Sequence, residues 1–249
     1  MDINAYWENR ATRRSFTQQP VTDELLNDLF LKASHAPTTG NMQLYSVIVS
    51  RDEEMRRRLA PTHFNQPASL SAPVLLTFCA DYRRFSLWCR QRKAEPGYDN
   101  FQSFIAALLD TALLAQQFNT VAELAGLGCV YLGTTTYNAG EIAGILELPE
   151  LVVPVTTLAV GYPDTPGEPS DRILPEGFLH SETYHDYTPA DIDRIHEYKE
   201  SLPSSRQFIE ENGKETLAQV FTDVRYTKAN NEYFSKVYID VIRRQGFNI

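Results

Sequence analysis

Residues 101–133 read FQSFIAALLDTALLAQQFNTVAELAGLGCVYLG and form the longest stretch of regular apolar spacing in the chain. The apolar residues of 101–125 recur at helical spacing and cover more than one face, which predicts a helix buried on all sides. In a chain of 249 residues, burial of that kind indicates either a central helix or a helix at a dimer interface. Gly126 is predicted to end the helix, and Cys129–Leu132 is a short predicted strand.

Predicted helices and strands alternate on both sides of this stretch. Thr22 is a predicted N-cap for a helix that ends near His35. Other helices are predicted at 53–59, 190–200 and 230–244, and strands at 44–49, 73–79 and 152–160. Residues 161–189 are dense in Pro, Gly, Asp and Glu, which predicts a long irregular segment. We predict one domain over residues 1–249 with a C-terminal extension from about residue 190, without strict βαβ repetition.

Composition narrows the possible function classes. The net charge is −9, which argues against a surface built for nucleic acid or an anionic membrane. No stretch approaches the roughly 20 apolar residues of a membrane span, and the N-terminal residues lack the features of a signal peptide. We therefore expect a cytoplasmic protein. Cys79, Cys89 and Cys129 are widely spaced, so no disulfide framework or CxxC metal pair is predicted.

Residues 10–14, Arg-Ala-Thr-Arg-Arg, place three guanidinium groups and a hydroxyl within five positions. Arginine offers a planar pair of donors suited to phosphate, and threonine adds a neutral donor. A solvated basic turn would have the same composition. A phosphate site here therefore requires partners elsewhere in the chain.

Three further candidates lie downstream. Residues 36–43, Ala-Pro-Thr-Thr-Gly-Asn-Met-Gln, form a helix-to-strand turn. Such a turn can present backbone N–H groups and amide side chains to a flat heteroatom-rich ring, although it can also be an ordinary turn. The strand after Gly128 is expected to end in exposed backbone donors at Leu132 and Gly133. Arg172, in the irregular segment, is a separate basic candidate.

Several common catalytic patterns are missing from the sequence. The glycine-rich residues 126–134 lack GxGxxG followed by a helix, and they lack the GxxxxGK[ST] phosphate loop. There is no GxSxG elbow, and the histidines are not at HExxH spacing. His180 and His185 lie five positions apart in a predicted loop, where a surface role is favoured over metal binding. No metal site is predicted.

Taken together and in this order, the candidate segments resemble the nitroreductase/flavin reductase family, specifically its NADPH-flavin oxidoreductase branch. The family's Arg-Ser-x-Arg-x-Phe pattern stands here as residues 11–16, Ala-Thr-Arg-Arg-Ser-Phe, and its Pro-Ser-Ser-x-Asn-x-Gln segment stands as residues 37–43. The resemblance covers nearly the whole chain. It implies an α+β fold with a central, mainly antiparallel sheet flanked by helices. It also implies a domain-swapped homodimer in which the long central helices pack together and each FMN lies at the subunit interface.

The resemblance implies a divided role for the arginine cluster. Arg10 and Thr12 would face the FMN phosphate, and Arg14 would reach the N1/O2 edge of the flavin ring. Ala11 stands where the family usually has arginine, so it would contribute at most its backbone. Arg13 is included in the predicted cofactor-binding cluster, with a solvated side chain as the alternative.

Other cofactor contacts are also implied by the resemblance. Thr38 would contact the ribityl-phosphate region, and Gln66 would bond the pyrimidine side of the ring. Arg172 would reach the phosphate, although Ser170 stands where many relatives carry a second base. The strand end that would approach N5 and O4 consists of Tyr131, Leu132, Gly133 and Thr134.

The implied activity is hydride transfer from NAD(P)H through flavin N5 to a small acceptor (a nitroaromatic, a quinone or flavin) by a ping-pong mechanism. Two alternatives stay open, namely another reduction such as dehalogenation, or flavin binding without reductase turnover. The choice between NADH and NADPH is also open, with Arg206, Lys214 and Arg225 as candidate ligands of a 2′-phosphate. No nucleic acid or membrane partner is expected.

Overall fold

The computed structural model describes residues 3–249 and has a four-stranded antiparallel sheet at its centre. The strands are β1 (Tyr45–Ser50), β2 (Val74–Asp81), β3 (Gly128–Leu132) and β4 (Val152–Gly161), in the spatial order β1-β2-β4-β3. Strand β2 is buried along its whole length, in keeping with its nearly continuous apolar sequence and its place between β1 and β4. The expected α+β class and antiparallel sheet are confirmed.

Across residues 3–249, eleven α-helices accompany this sheet. They are α1 (Ile3–Asn9), α2 (Asp23–Ala33), α3 (Glu53–Leu59), α4 (Pro67–Ser71), α5 (Arg83–Gln91), α6 (Phe101–Leu124), α7 (Ala139–Ile145), α8 (Pro189–Ser201), α9 (Pro203–Glu211), α10 (Leu217–Val220) and α11 (Lys228–Arg244). Thr22 is the N-cap of α2, and its side chain accepts a hydrogen bond from the Leu25 amide, as predicted. Helix α3 has the predicted bounds.

The contacts divide the chain into two compact units. One combines the chain up to Glu168 with Phe234–Ile249 and contains the whole sheet. The other, Pro169–Tyr233, contains α8, α9 and α10. The single domain with an extension from about residue 190 stays a prediction.

Helix α6 packs one side against the sheet. The ring of Phe118 stacks on Phe30 of α2 at 4.5 Å between centroids and lies 6.0 Å from Phe78 of β2. The opposite side is open in the single chain, where Leu109 is 53% exposed and Leu113 is 47% exposed. Within one chain α6 is therefore not buried on all sides, and its burial at a dimer interface stays a prediction. An exposed apolar row remains on α6.

Two glycines let the N-terminal segment pass close to the sheet. Gly128 and Gly161 are register partners at one end of the β3/β4 pair. A β-carbon on Gly128 would lie 2.6 Å from Cβ of Arg13, and one on Gly161 would lie 3.1 Å from Cβ of Phe16. The Arg13 amide donates to the Cys129 carbonyl at 3.2 Å. The arginine cluster is thereby fixed beside β3.

Candidate functional site

A cavity of about 380 Å³ lies beside the arginine cluster. Arg10, Thr12 and Arg14 line one part of it, and Val130 and Tyr131 of β3 line another. The structure thus brings two predicted phosphate ligands, the predicted ring-facing arginine and the start of the predicted strand end to one place.

Arg10 is fixed by a carboxylate that sequence reasoning missed. Its Nε and Nη2 donate to the Glu123 carboxylate at 3.2 and 3.1 Å, and the Tyr6 hydroxyl donates to the same carboxylate at 2.7 Å. Nη1 of Arg10 is left directed at Thr12 Oγ1, 3.4 Å away. The pair therefore aims one edge of the guanidinium at the cavity that Thr12 also lines.

Burial and hydrogen bonding shift the pKa values of Tyr6 and Arg10. Burial and the hydrogen bond to Glu123 raise the pKa of Tyr6 to about 12. Burial works to lower the pKa of Arg10, but the hydrogen bond and charge of Glu123 outweigh it and raise that pKa above its ordinary value. The network therefore holds a neutral phenol, a carboxylate and a guanidinium cation. An isolated acidic residue near the end of an apolar helix is the sequence signal that marks Glu123.

The two other members of the cluster have packing roles. Ala11 is buried, and a β-carbon on Gly167 would lie only 3.0 Å from its methyl group. Arg13 is half-buried rather than solvated, because its Cβ and Cγ lie over Gly128. Its Nη1 donates to the Thr165 carbonyl at 3.5 Å. Direct cofactor contacts from Ala11 and Arg13 stay predictions.

The predicted strand end continues into the 3₁₀ turn Gly133–Thr135. Leu132 is buried and its carbonyl accepts from Thr135 Oγ1 at 2.8 Å, whereas Gly133 is exposed. Gln66 is half-buried at the N-cap of α4, where its carbonyl accepts from the amide and hydroxyl of Ser69. The side-chain amide of Gln66 is not used in that cap.

The turn that carries Thr38 is held by a second buried carboxylate. Asp110 of α6 accepts from the Thr39 amide at 2.8 Å, from Thr39 Oγ1 at 2.9 Å and from the Leu44 amide at 3.1 Å. Between these anchors, Gly40, Asn41 and Gln43 all have positive φ. Such left-handed conformations persist in non-glycine residues only where their surroundings enforce them, and they concentrate at functional sites. Asp110 was also missed, although it too is an isolated acid in an apolar helix.

Arg172 lies in the second compact unit. Its Nη1 donates to the carbonyls of Ser170 and Asp171 at 3.1 and 2.7 Å. Together with Arg194 and Tyr198 it lines a cavity of about 350 Å³ within that unit. Its role at the phosphate stays a prediction.

Two of the three candidate 2′-phosphate ligands are engaged locally in the same unit. Lys214 Nζ pairs with Asp223 at 2.9 Å, and Arg225 lies over the Phe208 ring at 4.2 Å. A role in nucleotide discrimination for either residue would require these contacts to be exchanged.

Residues 3–249 give little support to chemistry based on a metal ion or a reactive thiol. That part of the chain contains no group of three or more His, Cys, Asp or Glu residues able to hold a metal ion. It also contains no helix with the length and apolarity needed to cross a membrane. Burial raises the pKa of the Cys79 and Cys129 thiols, so neither is a ready nucleophile.

The fold of this chain is shared with known proteins. The model of the Nitroreductase family matches residues 8–162, and the chain belongs to that family. A crystal structure of a protein from Bacteroides fragilis NCTC 9343 is 56% identical, with a TM-score of 0.97, over 98% of this chain and 100% of that one.

Two relatives from Bacillus subtilis are more distant. An FMN reductase [NAD(P)H] of strain 168 is 29% identical over 245 residues, which is 95% of this chain and 94% of the relative. The structure of the NfrA1 nitroreductase is 28% identical with a TM-score of 0.85 and covers 98% of each chain. The similarity therefore extends beyond residues 8–162 to nearly the full length.

Proposed function

We propose that the chain is an FMN-dependent oxidoreductase that takes hydride from NAD(P)H and reduces a small acceptor such as a nitroaromatic, a quinone or free flavin. The observation that carries this proposal is the convergence of Arg10, Thr12, Arg14 and Tyr131 on one cavity in a member of the Nitroreductase family. The names of two relatives, an FMN reductase [NAD(P)H] and a nitroreductase, support the cofactor, the co-substrate and the reaction class.

The chemistry of the donor set fits FMN. Arg10 offers a guanidinium edge and Thr12 a hydroxyl within 3.4 Å of each other, which suits a phosphate dianion. Tyr131 supplies an aromatic wall, and Arg14 an exposed cation, for the ring side of the cofactor. Thr38, Gln66 and Arg172 complete the proposed set.

Bound FMN would supply a ring that accepts hydride from NAD(P)H and returns two electrons to a second substrate in a ping-pong cycle. The chain supplies positioning and electrostatics. Arg14 would stabilise negative charge at the N1/O2 edge, and the backbone donors at Leu132 and Gly133 would polarise the N5/O4 edge. No protein nucleophile is needed for this chemistry.

We further propose that the enzyme is a homodimer with exchanged segments. The exposed apolar row of α6, which contains Leu109 and Leu113, supports this because a contiguous apolar surface on a helix is usually covered by a partner. Packing α6 against a second copy would bury the row and place each cofactor at the subunit interface. A cytoplasmic location stays a prediction from the sequence.

One experiment tests the proposed function. The protein is purified with added FMN, and its visible spectrum is followed during anaerobic titration with NADH or NADPH. We expect a yellow protein that bleaches with NAD(P)H and regains colour with a quinone, a nitroaromatic or free flavin. A protein unable to bind FMN would contradict the proposal, and one that binds FMN but never bleaches would indicate a flavin-binding protein without reductase turnover.

A further inference from the structure

A buried hydrogen bond joins two turns that lie far apart in the sequence. His63 ends the 3₁₀ turn Ala60–His63, and Thr134 lies in the turn Gly133–Thr135. Nδ1 of His63 is 3.0 Å from Oγ1 of Thr134. A second link runs from Asn138 Nδ2 to the Thr62 carbonyl at 2.7 Å. The two turns are therefore braced against each other.

The surroundings of His63 decide its protonation. Burial lowers the pKa of His63 to about 4, so the ring is neutral near pH 7. Its Nε2 is buried and has no hydrogen-bond partner among the described residues. An unpaired buried acceptor is tolerated more often than an unpaired N–H, so the ring proton belongs on Nδ1. Nδ1 then donates to Thr134, whose hydroxyl hydrogen points away from His63.

Both braced turns lead directly to residues proposed to contact the flavin ring. Phe64 and Asn65 follow His63 with φ of 53° and 51°, and Gln66 comes next. Left-handed conformations are unfavourable at non-glycine residues, so they need support from neighbouring structure. On the other side of the brace, Thr134 follows Gly133 at the strand end.

We propose that His63 is a positioning residue that acts through the hydroxyl of Thr134. It fixes Gln66 relative to the backbone donors of Leu132 and Gly133, so that both sets of groups fit one flavin ring. This inference rests on the proposed function, because it assumes that FMN binds at this strand end. His63 itself neither touches the ring nor transfers a proton.

The test compares FMN binding by four single variants of the full-length protein and by the double variant His63→Leu/Thr134→Val. Thr134→Val removes the hydroxyl with little change in shape, Thr134→Ser retains it, and His63→Leu removes the donor. His35→Leu, at an exposed histidine, is the matched control. The measurements are the Kd for FMN from flavin fluorescence, the visible spectrum of the bound flavin and the thermal unfolding of the apoprotein.

We expect Thr134→Val and His63→Leu each to raise the Kd about fivefold and to shift the bound-flavin spectrum, which is the effect of one lost hydrogen bond. Thr134→Ser should restore the wild-type values, and His35→Leu should leave them unchanged. The double variant should bind FMN no worse than either single variant, because both remove the same interaction. If His63→Leu does not fold, the comparison of Thr134→Val with Thr134→Ser decides.

Two results would overturn the inference while leaving the proposed function intact. One is a Kd within twofold of wild type and an unchanged spectrum for Thr134→Val, in a protein whose wild type binds FMN. The other is a loss of apoprotein stability alone, which would make the brace purely structural. A wild type that fails to bind FMN would overturn both proposals.

Discussion

Arg10 and Arg14 lie four positions apart but have different surroundings. Arg10 is paired with Glu123, so part of its charge is neutralised while its geometry is fixed. Arg14 is exposed at the same cavity. A guanidinium held in one orientation loses less entropy on binding phosphate, whereas an exposed one can move to where charge develops. The two residues should therefore affect different measurements.

We expect Arg10→Ala mainly to weaken FMN retention, raising the Kd roughly 10- to 100-fold, because a charge-assisted hydrogen bond is lost.

Arg14→Ala should instead slow flavin reduction by NAD(P)H about tenfold or more with a smaller change in Kd. Equilibrium titration measures the first effect and stopped-flow reduction the second. The exposed Arg58 of α3 provides a control, since Arg58→Ala should alter neither quantity. Unchanged reduction by Arg14→Ala would contradict its assigned role.

The buried His63 makes stability depend on pH. Its folded-state pKa of about 4 lies below the ordinary value of 6.5, so the unfolded chain binds more protons between these values. Stability is then fully present above pH 6.5 and is lost as pH falls towards 4. We expect the free energy of unfolding to drop by about 2 kcal/mol from this group between pH 7 and pH 5. Denaturant titrations at pH 7 and pH 5 should show a drop in unfolding free energy that is larger by that amount in wild type than in His63→Leu, and equal drops would count against the assignment.

Sequence patterns located the side chains proposed to face a ligand better than the side chains that hold them in place. Thr12 and Arg14 carry recognisable local spacing and lie together at the cavity. Glu123 and Asp110 act over separations of 113 and 71 positions, so no local pattern ties them to their partners. The sequence marks these two residues only indirectly. A carboxylate inside an apolar helix needs a partner, and only the fold shows which residue that partner is.

Asp110 joins helix α6 to the turn that carries Thr38. Three hydrogen bonds converge on its carboxylate, and the turn between their anchors is rich in positive φ. The turn therefore depends on α6 for its shape. Any movement of α6 would be transmitted to a proposed cofactor contact.

Asp110→Ala should lower the free energy of unfolding by about 3 kcal/mol, because it leaves the buried Leu44 amide and the amide and hydroxyl of Thr39 without their acceptor. Hydrogen exchange should accelerate selectively in residues 39–44. Asp28→Ala, which removes an exposed carboxylate paired with Lys32, should change stability by no more than about 0.5 kcal/mol. Unchanged exchange in residues 39–44 of a folded Asp110→Ala protein would rule out this anchoring role.

The close approach of the N-terminal segment to β3 gives a further prediction about packing. Gly128→Ala should destabilise the protein by about 1–3 kcal/mol, because the added methyl group would lie 2.6 Å from Cβ of Arg13 and push the arginine cluster away. FMN affinity should fall in parallel. Gly144→Ala in α7 adds a methyl group that meets nothing within 4 Å and should be neutral or slightly stabilising. Equal melting temperatures for the two variants would contradict the packing argument.

Elements with strong local signals were predicted well, and those without were missed. The four strands and α3 stand within about two residues of their predicted bounds, because apolar runs and caps define them. Helix α5 begins after Tyr82, which provides no side-chain cap, and α7 contains Gly140 and Gly144. Such helices form because packing outweighs weak intrinsic propensity, which local patterns do not reveal.

The exposed apolar row on α6 lies on the same helix as the two carboxylates that support the proposed cofactor site. Leu109 and Leu113 lie one turn apart on the same face of the helix that also carries Asp110 and Glu123. Covering this row with a second copy would stabilise the helix that holds both the Thr38 turn and Arg10. Dimerisation and cofactor binding should therefore be coupled.

Leu113→Glu tests this coupling. A carboxylate at the centre of an apolar, two-fold interface is desolvated in both subunits, so we expect the variant to elute as a monomer in size-exclusion chromatography with light scattering. Its FMN affinity should fall at least about tenfold if the cofactor site is completed at the interface. Leu31→Glu is the control, because Leu31 is 68% exposed and lies on a different helix, α2. A dimeric Leu113→Glu protein would exclude α6 as the interface, whereas a monomer with full FMN affinity would place the complete cofactor site within one chain.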